Sequence, residues 1–189
     1  MIVNTLRSIN WVDILVLALA VRVVYIALQT GFVVEFSKLV GVFLTIFVSF
    51  HYYTMFGGFA LKRTDVPDGL LYALAFVALW GLTALLCKLI RDGLLLLFTI
   101  QAQSMLDRWG AAIISVFRFV LLASMMMFLF LVTGHPYLQA KTMSSLSHRY
   151  LLGAAPAVYG TICNRVVSKI FPAEKYNDAV RLMVTQGSR

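Results

Sequence analysis

Charge is scarce in this sequence, and acidic charge is scarcest: of 189 residues 8 are Asp or Glu and 16 are Lys or Arg, a charged share of 13%. Cysteine is nearly absent too, and Cys87 and Cys163 lie far apart with no metal or redox spacing, so two unpaired thiols are expected. The three histidines, His51, His135 and His148, fall in separate regions with no Cys or carboxylate at ligand spacing, which leaves no metal site to predict and makes His51 an interfacial residue. No Walker A or GxGxxG pattern occurs, so nucleotide-driven transport by this chain alone is not expected. Ser144, Ser145, Ser147 and His148 are neighbours in sequence, but nothing announces an oriented base or an oxyanion site, and they read as loop or helix-cap polarity. The sequence thus offers no catalytic residue and no cofactor site, and the chain is not expected to be an enzyme.

What fills the space is apolar. The hydrophobic share is 61% and the mean hydropathy is +0.87, where soluble domains average about 45 to 50% apolar. Four apolar stretches approach the roughly 20 residues that cross a hydrocarbon core: near residues 10–28, 33–53, 70–90 and 109–133. The basic excess is spread over loops and a tail and forms no compact patch, so no nucleic-acid partner is expected. Arg7 before an apolar run and the small-x-small form at Ala18-Leu-Ala20 raise the question of a signal peptide. The run continues through Val21, Val23, Val24, Ile26 and Leu28 around Arg22, which favours a retained first span.

The first span opens at Trp11-Val-Asp13, with tryptophan at the headgroup level and Asp13 facing the positive start of a helix. Gln29-Thr-Gly31 breaks it. The second span carries Glu35 and Lys38 in its opening turns and ends at Phe50-His-Tyr52-Tyr53, where Tyr52 and Tyr53 are expected as interfacial anchors alongside Trp11 and Asp13. Residues 54–69 combine charges with turn formers and form the expected polar loop. The third span ends with Lys88, which can snorkel to the surface, and Arg91-Asp92-Gly93 interrupts it. Leu94 to Ile100 is too short to cross and reads either as an interfacial helix or as a plain continuation of the third. Gly134-His-Pro136 ends the fourth span, whose Met125, Met126 and Met127 are lipid-facing or packing residues.

From Lys141 onward seven Lys and Arg residues appear. Tyr159, Ile162, Val166 and Ile170 fall at three- and four-residue steps, which predicts an amphipathic helix on the membrane with Pro156 near its start. Disorder is expected after Glu174.

Arg118 stands out because an arginine near the middle of a membrane helix costs roughly 3 kcal/mol on insertion scales, so it faces protein or a wet cavity. Asp107, Ala111, Ser115 and Arg118 share one helical stripe, with Ala111 and Ser115 as a small-residue packing seam. Hairpin order brings Arg22, Glu35, Lys38, Asp107, Arg108 and Arg118 into one half of the bundle as an intramembrane polar cluster. Glu35 is then the natural partner of Arg108 or Arg118. Two readings stand: a hydrated path, or an ion-pair network that fixes helix register.

Trp11-Val-Asp13, Gly31-Phe32-Val-x-Glu35 and Leu106-Asp107-Arg108 followed by Arg118 resemble the colicin V production protein family of bacterial inner membranes, over roughly residues 9–135. Family members usually have glycines where this chain has Ala111, Ser115 and Phe119, and a basic residue where it has Thr30. The first two departures keep the seam small, whereas Phe119 opposes close approach on its own face. The resemblance implies a small multi-span protein needed for production or export of a peptide toxin, with a wider role in envelope homeostasis and no defined reaction.

The expected architecture is all-α: four transmembrane helices over 9–135, a short interfacial helix, and an amphipathic C-terminal tail over 141–189. Arg7, Lys62, Arg63 and seven tail residues make ten basic groups on one side against Lys38, Lys88, Arg91 and Arg108, four, on the other, which favours both termini in the cytoplasm. The expected partners are the lipid bilayer, further copies of the chain, and export or envelope proteins. The rival functions are an oligomeric pore using Glu35 and Arg118, and an accessory scaffold for a transporter.

Overall fold

The computed structural model describes residues 10–61, 66–97, 105–170 and 176–187. Every regular element among them is helical: α1 (Trp11–Thr30), α2 (Phe32–Leu61), α3 (Asp68–Leu97), α4 (Met105–Val132), α5 (Pro136–Met143), α6 (Leu146–Leu151), α7 (Ala154–Ile162) and α8 (Asp178–Gly187). The first four are long and apolar enough to cross a membrane, and the chain is an all-α protein of that type with shorter helices added.

Sequence explains most of the boundaries. Gly31, at φ 78°, holds a backbone conformation that side chains resist, and it ends α1 one residue before α2 begins. Gly134, at φ 67°, does the same after α4, and Pro136 opens α5 in the first turn, where a missing amide hydrogen costs nothing.

Two expected breaks are absent. α2 continues past Tyr53 to Leu61 because Gly57 serves as a contact point rather than a turn: a Cβ there would lie 2.3 Å from Cδ1 of Tyr72 on α3. α3 likewise runs through Arg91-Asp92-Gly93 to Leu97. Arg91 and Asp92 pair at 2.8 Å, and one glycine costs a helix only about 1 kcal/mol. The segment expected as a short interfacial helix is therefore, as far as Leu97, the end of α3; residues 98–104 lie outside the described residues. At 30 residues each, α2 and α3 measure roughly 45 Å, enough to pass beyond the hydrocarbon into the headgroups.

α4 is the central helix, with 44% of its membrane-length segment buried against 22–28% in the other three. One face, Leu121, Met125, Phe128 and Val132, packs on Val42, Ile46, Phe50 and Tyr53 of α2 and Ala73 and Phe76 of α3. Its other face, Ala123, Met127 and Leu131, meets Val12 and Val16 of α1. The three- and four-residue steps on these faces are the helical repeat that side-by-side packing requires. Met125 and Met127 are fully buried packing residues.

The tail folds back onto this bundle. Ala155, Tyr159, Cys163 and Val180 join the same core as Phe50 and Phe128. The stripe expected along Tyr159, Ile162, Val166 and Ile170 does not hold, because residues Cys163–Val167 form a π-helical stretch. Its wider turn changes the angle between successive residues, so Val166 inside it is half exposed while Tyr159 before it is fully buried. Asp178–Gly187 is helical, with Val180 in the core, in contrast to the disorder expected after Glu174; residues 175, 188 and 189 lie outside the described residues.

Candidate functional site

The corner where α1 hands over to α2 is closed by α4. Asp107, in the first turn of α4, accepts a hydrogen bond at Oδ1 from the backbone amide of Phe32 at 2.8 Å, one of the amides that the start of α2 leaves without a helical partner. Its other oxygen presses on Gly31, where a Cβ would lie 2.5 Å away. Phe32 in turn covers Gly110, where a Cβ would meet its ring at 2.7 Å. The sequence segments beginning at Gly31 and at Leu106, far apart in the chain, thus build one joint.

Just inside that joint sits Glu35, fully buried. Its Oε1 accepts from the Lys38 ammonium at 2.5 Å and from the Thr30 hydroxyl at 2.7 Å. Its Oε2 lies 2.8 Å from a terminal nitrogen of Arg118, off the line of the N–H, so this contact is ionic rather than a well-aligned hydrogen bond. Three elements meet on one carboxylate: the end of α1, the start of α2 and the middle of α4. Two cations against one carboxylate leave the triad positive, and Nε of Arg118, also buried, has no hydrogen-bond partner among the described residues.

Beside the triad a cavity of about 200 Å³ lies between α2, α3 and α4. Lys38 and Arg118 line it from one side and Lys88 and Arg91 of α3 from the other, with Trp80 and Leu122 among its apolar walls. Of the residues expected in the polar cluster, Glu35, Lys38 and Arg118 are therefore in direct contact and Asp107 holds the joint next to them, whereas Arg22 and Arg108 are exposed on their helices. Ala111 and Ser115 are both fully buried on α4. Sequence reasoning passed over Thr30, and it read Lys88 as a snorkelling end and Arg91 as part of a break. The available signal was the stripe Trp80, Ala84, Lys88 and Arg91, which repeats at helical spacing once α3 is read as continuous.

At the other end of the bundle polar side chains fasten the tail. Asp13 lies in the first turn of α1, and its carboxylate also accepts from the hydroxyls of Ser145 and Ser147 at 2.6 and 2.7 Å and from the Ser147 amide at 3.0 Å, and so caps α6. Asn10 donates to the Lys141 carbonyl and to Ser144 Oγ. On α4, Ser124 donates to the Leu152 carbonyl at 2.7 Å and accepts from the Ala155 amide at 2.9 Å, both contacts buried.

Between α2 and α8, Asn177 donates to the Phe50 carbonyl at 2.9 Å and to Thr54 at 3.1 Å, and its amide donates to the Tyr159 hydroxyl, which also meets His51 Nδ1 at 3.0 Å. Burial pushes the ionisation of Tyr159 well above the ordinary tyrosine range, and that of Tyr176 upward as well. Of the expected interfacial anchors, Tyr53 is instead a core residue, 2% exposed, with its ring edge-on to Phe76 and Phe128. The extension of α2 to Leu61 moves the helix end away from it. Tyr52 and Trp11 are half-buried.

Four long apolar helices around an ion-paired carboxylate define a multi-span α-helical membrane protein. Its sequence matches the model of the family described as colicin V production protein over residues 12–156, from the first turn of α1 into α7, and the chain belongs to that family. The family is not known as an enzyme family. No curated protein and no solved structure matches the chain.

Proposed function

We propose that this chain works in the bacterial inner membrane as a non-enzymatic, homo-oligomeric component of peptide-toxin production or export and of envelope homeostasis. Membership of the colicin V production protein family supports the setting. The observation that carries the reading to a site is Glu35, fully buried yet held by Lys38, Thr30 and Arg118. Buried charges at membrane depth are expensive, and where they are kept they mark the working part of a membrane protein. The triad joins α2 to α4 at the corner where α1 ends, so it sets how those helices stand against one another.

The test is genetic and biochemical together. With wild-type, Glu35→Gln and Arg118→Ala chains expressed at equal membrane levels, export of a peptide toxin of the colicin V kind and survival under envelope stress are expected to fall in both variants. Full export and survival in either variant would remove the triad from the function.

A second reading, an oligomeric pore, is favoured by the cavity against Lys38 and Arg118. It expects ion conductance from the purified protein in liposomes, with selectivity changed by Arg118→Ala while the oligomer persists. Silence from correctly inserted protein would discard it.

A further inference from the structure

The cavity beside the triad has more positive charge than its own carboxylates balance. Lys38, Lys88, Arg91 and Arg118 border it. Among the described residues two carboxylates pair with them, Glu35 on Lys38 and Arg118 and Asp92 on Arg91, so these six groups carry a net charge of two positive. Arg118 is the most informative of the four: its side chain is 9% exposed, it lines the cavity, and its Nε has no hydrogen-bond partner among the described residues. A buried guanidinium donor without an acceptor costs free energy, and the same side chain borders the cavity.

The cavity does not stand alone. It shares Ser37, Gly41, Cys87 and Arg91 with a groove of about 220 Å³ on the outer face of α2 and α3. Phe36, Val40 and Leu44 of α2 and Ile90 and Leu94 of α3 form that groove, and each of them is exposed by 42% or more. The two helices can part here only slightly, because a Cβ on Gly41 would already lie 3.2 Å from Cβ of Cys87. A shallow apolar groove thus runs beside the pocket of basic side chains, and Ser37 and Arg91 border both.

We propose that this pocket and groove bind one anionic phospholipid, with the phosphate among Lys38, Lys88, Arg91 and Arg118 and an acyl chain along Val40, Leu44 and Ile90. Charge complementarity selects an anion, and the apolar groove selects a lipid over a free ion. The size fits as well, since about 200 Å³ holds a phosphate and several waters at about 30 Å³ per water. Basic pockets between transmembrane helices are the recurring way in which membrane proteins hold such headgroups. The inference rests on the reading of the chain as a membrane protein and not on its part in toxin export or on a pore.

The test uses the full-length protein, purified in detergent and stripped of lipid, and measures bound lipid by native mass spectrometry together with the shift in thermal unfolding temperature. Phosphatidylglycerol is expected to remain as a one-to-one adduct and to raise the unfolding temperature; phosphatidylcholine and inorganic phosphate are expected to do neither. Removing two cations with Lys88→Gln and Arg91→Gln is expected to weaken phosphatidylglycerol binding about thirtyfold, roughly fivefold for each basic residue. Removing two exposed tail cations with Arg149→Gln and Arg165→Gln is expected to change it little.

Val40→Trp fills the groove without touching charge and is expected to weaken binding independently, which keeps the test decisive if the charge variants fail to fold. Equal binding of phosphatidylcholine, or equal losses from the tail and cavity pairs, would overturn the site. Inorganic phosphate stabilising the protein as well as phosphatidylglycerol does would overturn the lipid and leave a free-anion pocket. Loss of export in cells with lipid binding intact, or the reverse, would separate the fate of this site from that of the functional reading.

Discussion

Removing Glu35 should hurt the fold more than removing either cation that holds it, although only one charge is lost in each case. Glu35→Ala leaves Arg118 and Lys38 facing each other in a largely closed space with no carboxylate between them, and Thr30 without an acceptor there. Breaking a buried pair by deleting one partner costs about 3–5 kcal/mol, and the upper half of that range is expected here because two cations are abandoned. Arg118→Ala still leaves Glu35 with Lys38 and Thr30, so the loss falls to about 2–3 kcal/mol, the value of one charged contact. Lys38→Ala should cost least, about 1.5 kcal/mol, because Arg118 remains and because Lys38, 16% exposed, is near enough to the surface for water to replace it. The assay is reversible unfolding in mixed micelles or bicelles, read by tryptophan fluorescence, with the Glu35→Ala and Arg118→Ala double variant closing a thermodynamic cycle. A double variant less destabilised than Glu35→Ala alone is expected, since it removes the abandoned charge together with its partner. An order in which Lys38→Ala is the worst, or three variants within about 0.5 kcal/mol of wild type, a change of the size seen at ordinary surface sites, would refute the reasoning.

The two neighbouring glycines of α2 should part company: Gly57→Ala, whose new Cβ would lie 2.3 Å from Tyr72, is expected to destabilise by about 1–3 kcal/mol, whereas Gly58→Ala meets nothing within 4 Å and should gain about 0.5–1 kcal/mol in helix propensity, both read from thermal unfolding. Asp13→Ala removes the cap on α6 and is expected to cost about 1 kcal/mol, visible as faster protease cleavage between residues 144 and 153; unchanged cleavage would show that Asp13 does not fasten the tail. At high pH the fold should lose stability through Tyr159: its folded ionisation is raised, so the folded state keeps its proton longer than the unfolded state, and the stabilisation is complete below about pH 10 and declines as pH rises above it. Tyr159→Phe should flatten that alkaline decline in unfolding experiments between about pH 9 and 11.

The long helices were legible because hydropathy and length act locally, and Arg118 was legible because one charge in an apolar helix is conspicuous. What escaped depended on contacts between distant residues. Gly57 has the look of a turn former until Tyr72 is placed against it, and Tyr53 that of a membrane anchor until Phe76 and Phe128 close around its ring. The helical stripe from Tyr159 to Ile170 failed because one π-helical stretch changes the angle per residue, and nothing in the composition of Cys163–Val167 announces that. Arg91 was the costliest omission. Reading Arg91-Asp92-Gly93 as a break left Lys88 as the end of the third span and put Arg91 outside it, which hid one wall of the basic cavity.

Geometry also explains how an arginine comes to lie so far into α4. Arg118 is eleven residues past Asp107, which places its Cα about 16 Å further along the helix, close to half of a hydrocarbon core of about 30 Å. Asp107 meets Phe32 and Gly31, so α2 and α4 start at the same membrane face and run the same way, and Glu35 sits only one turn into α2. Side chains on a helix lean toward its N-terminus. The guanidinium of Arg118 therefore reaches back toward that face, to Glu35 at 2.8 Å, while its backbone stays deep. Lys38 in α2 and Arg91 near the end of α3 stand at the same level, because α3 runs the opposite way and returns to that face as it ends. The charge that the sequence places at mid-membrane is thus delivered to a layer nearer the headgroups. There the Glu35 carboxylate is within reach, and an insertion cost estimated for the centre of the bilayer overstates what this arginine pays.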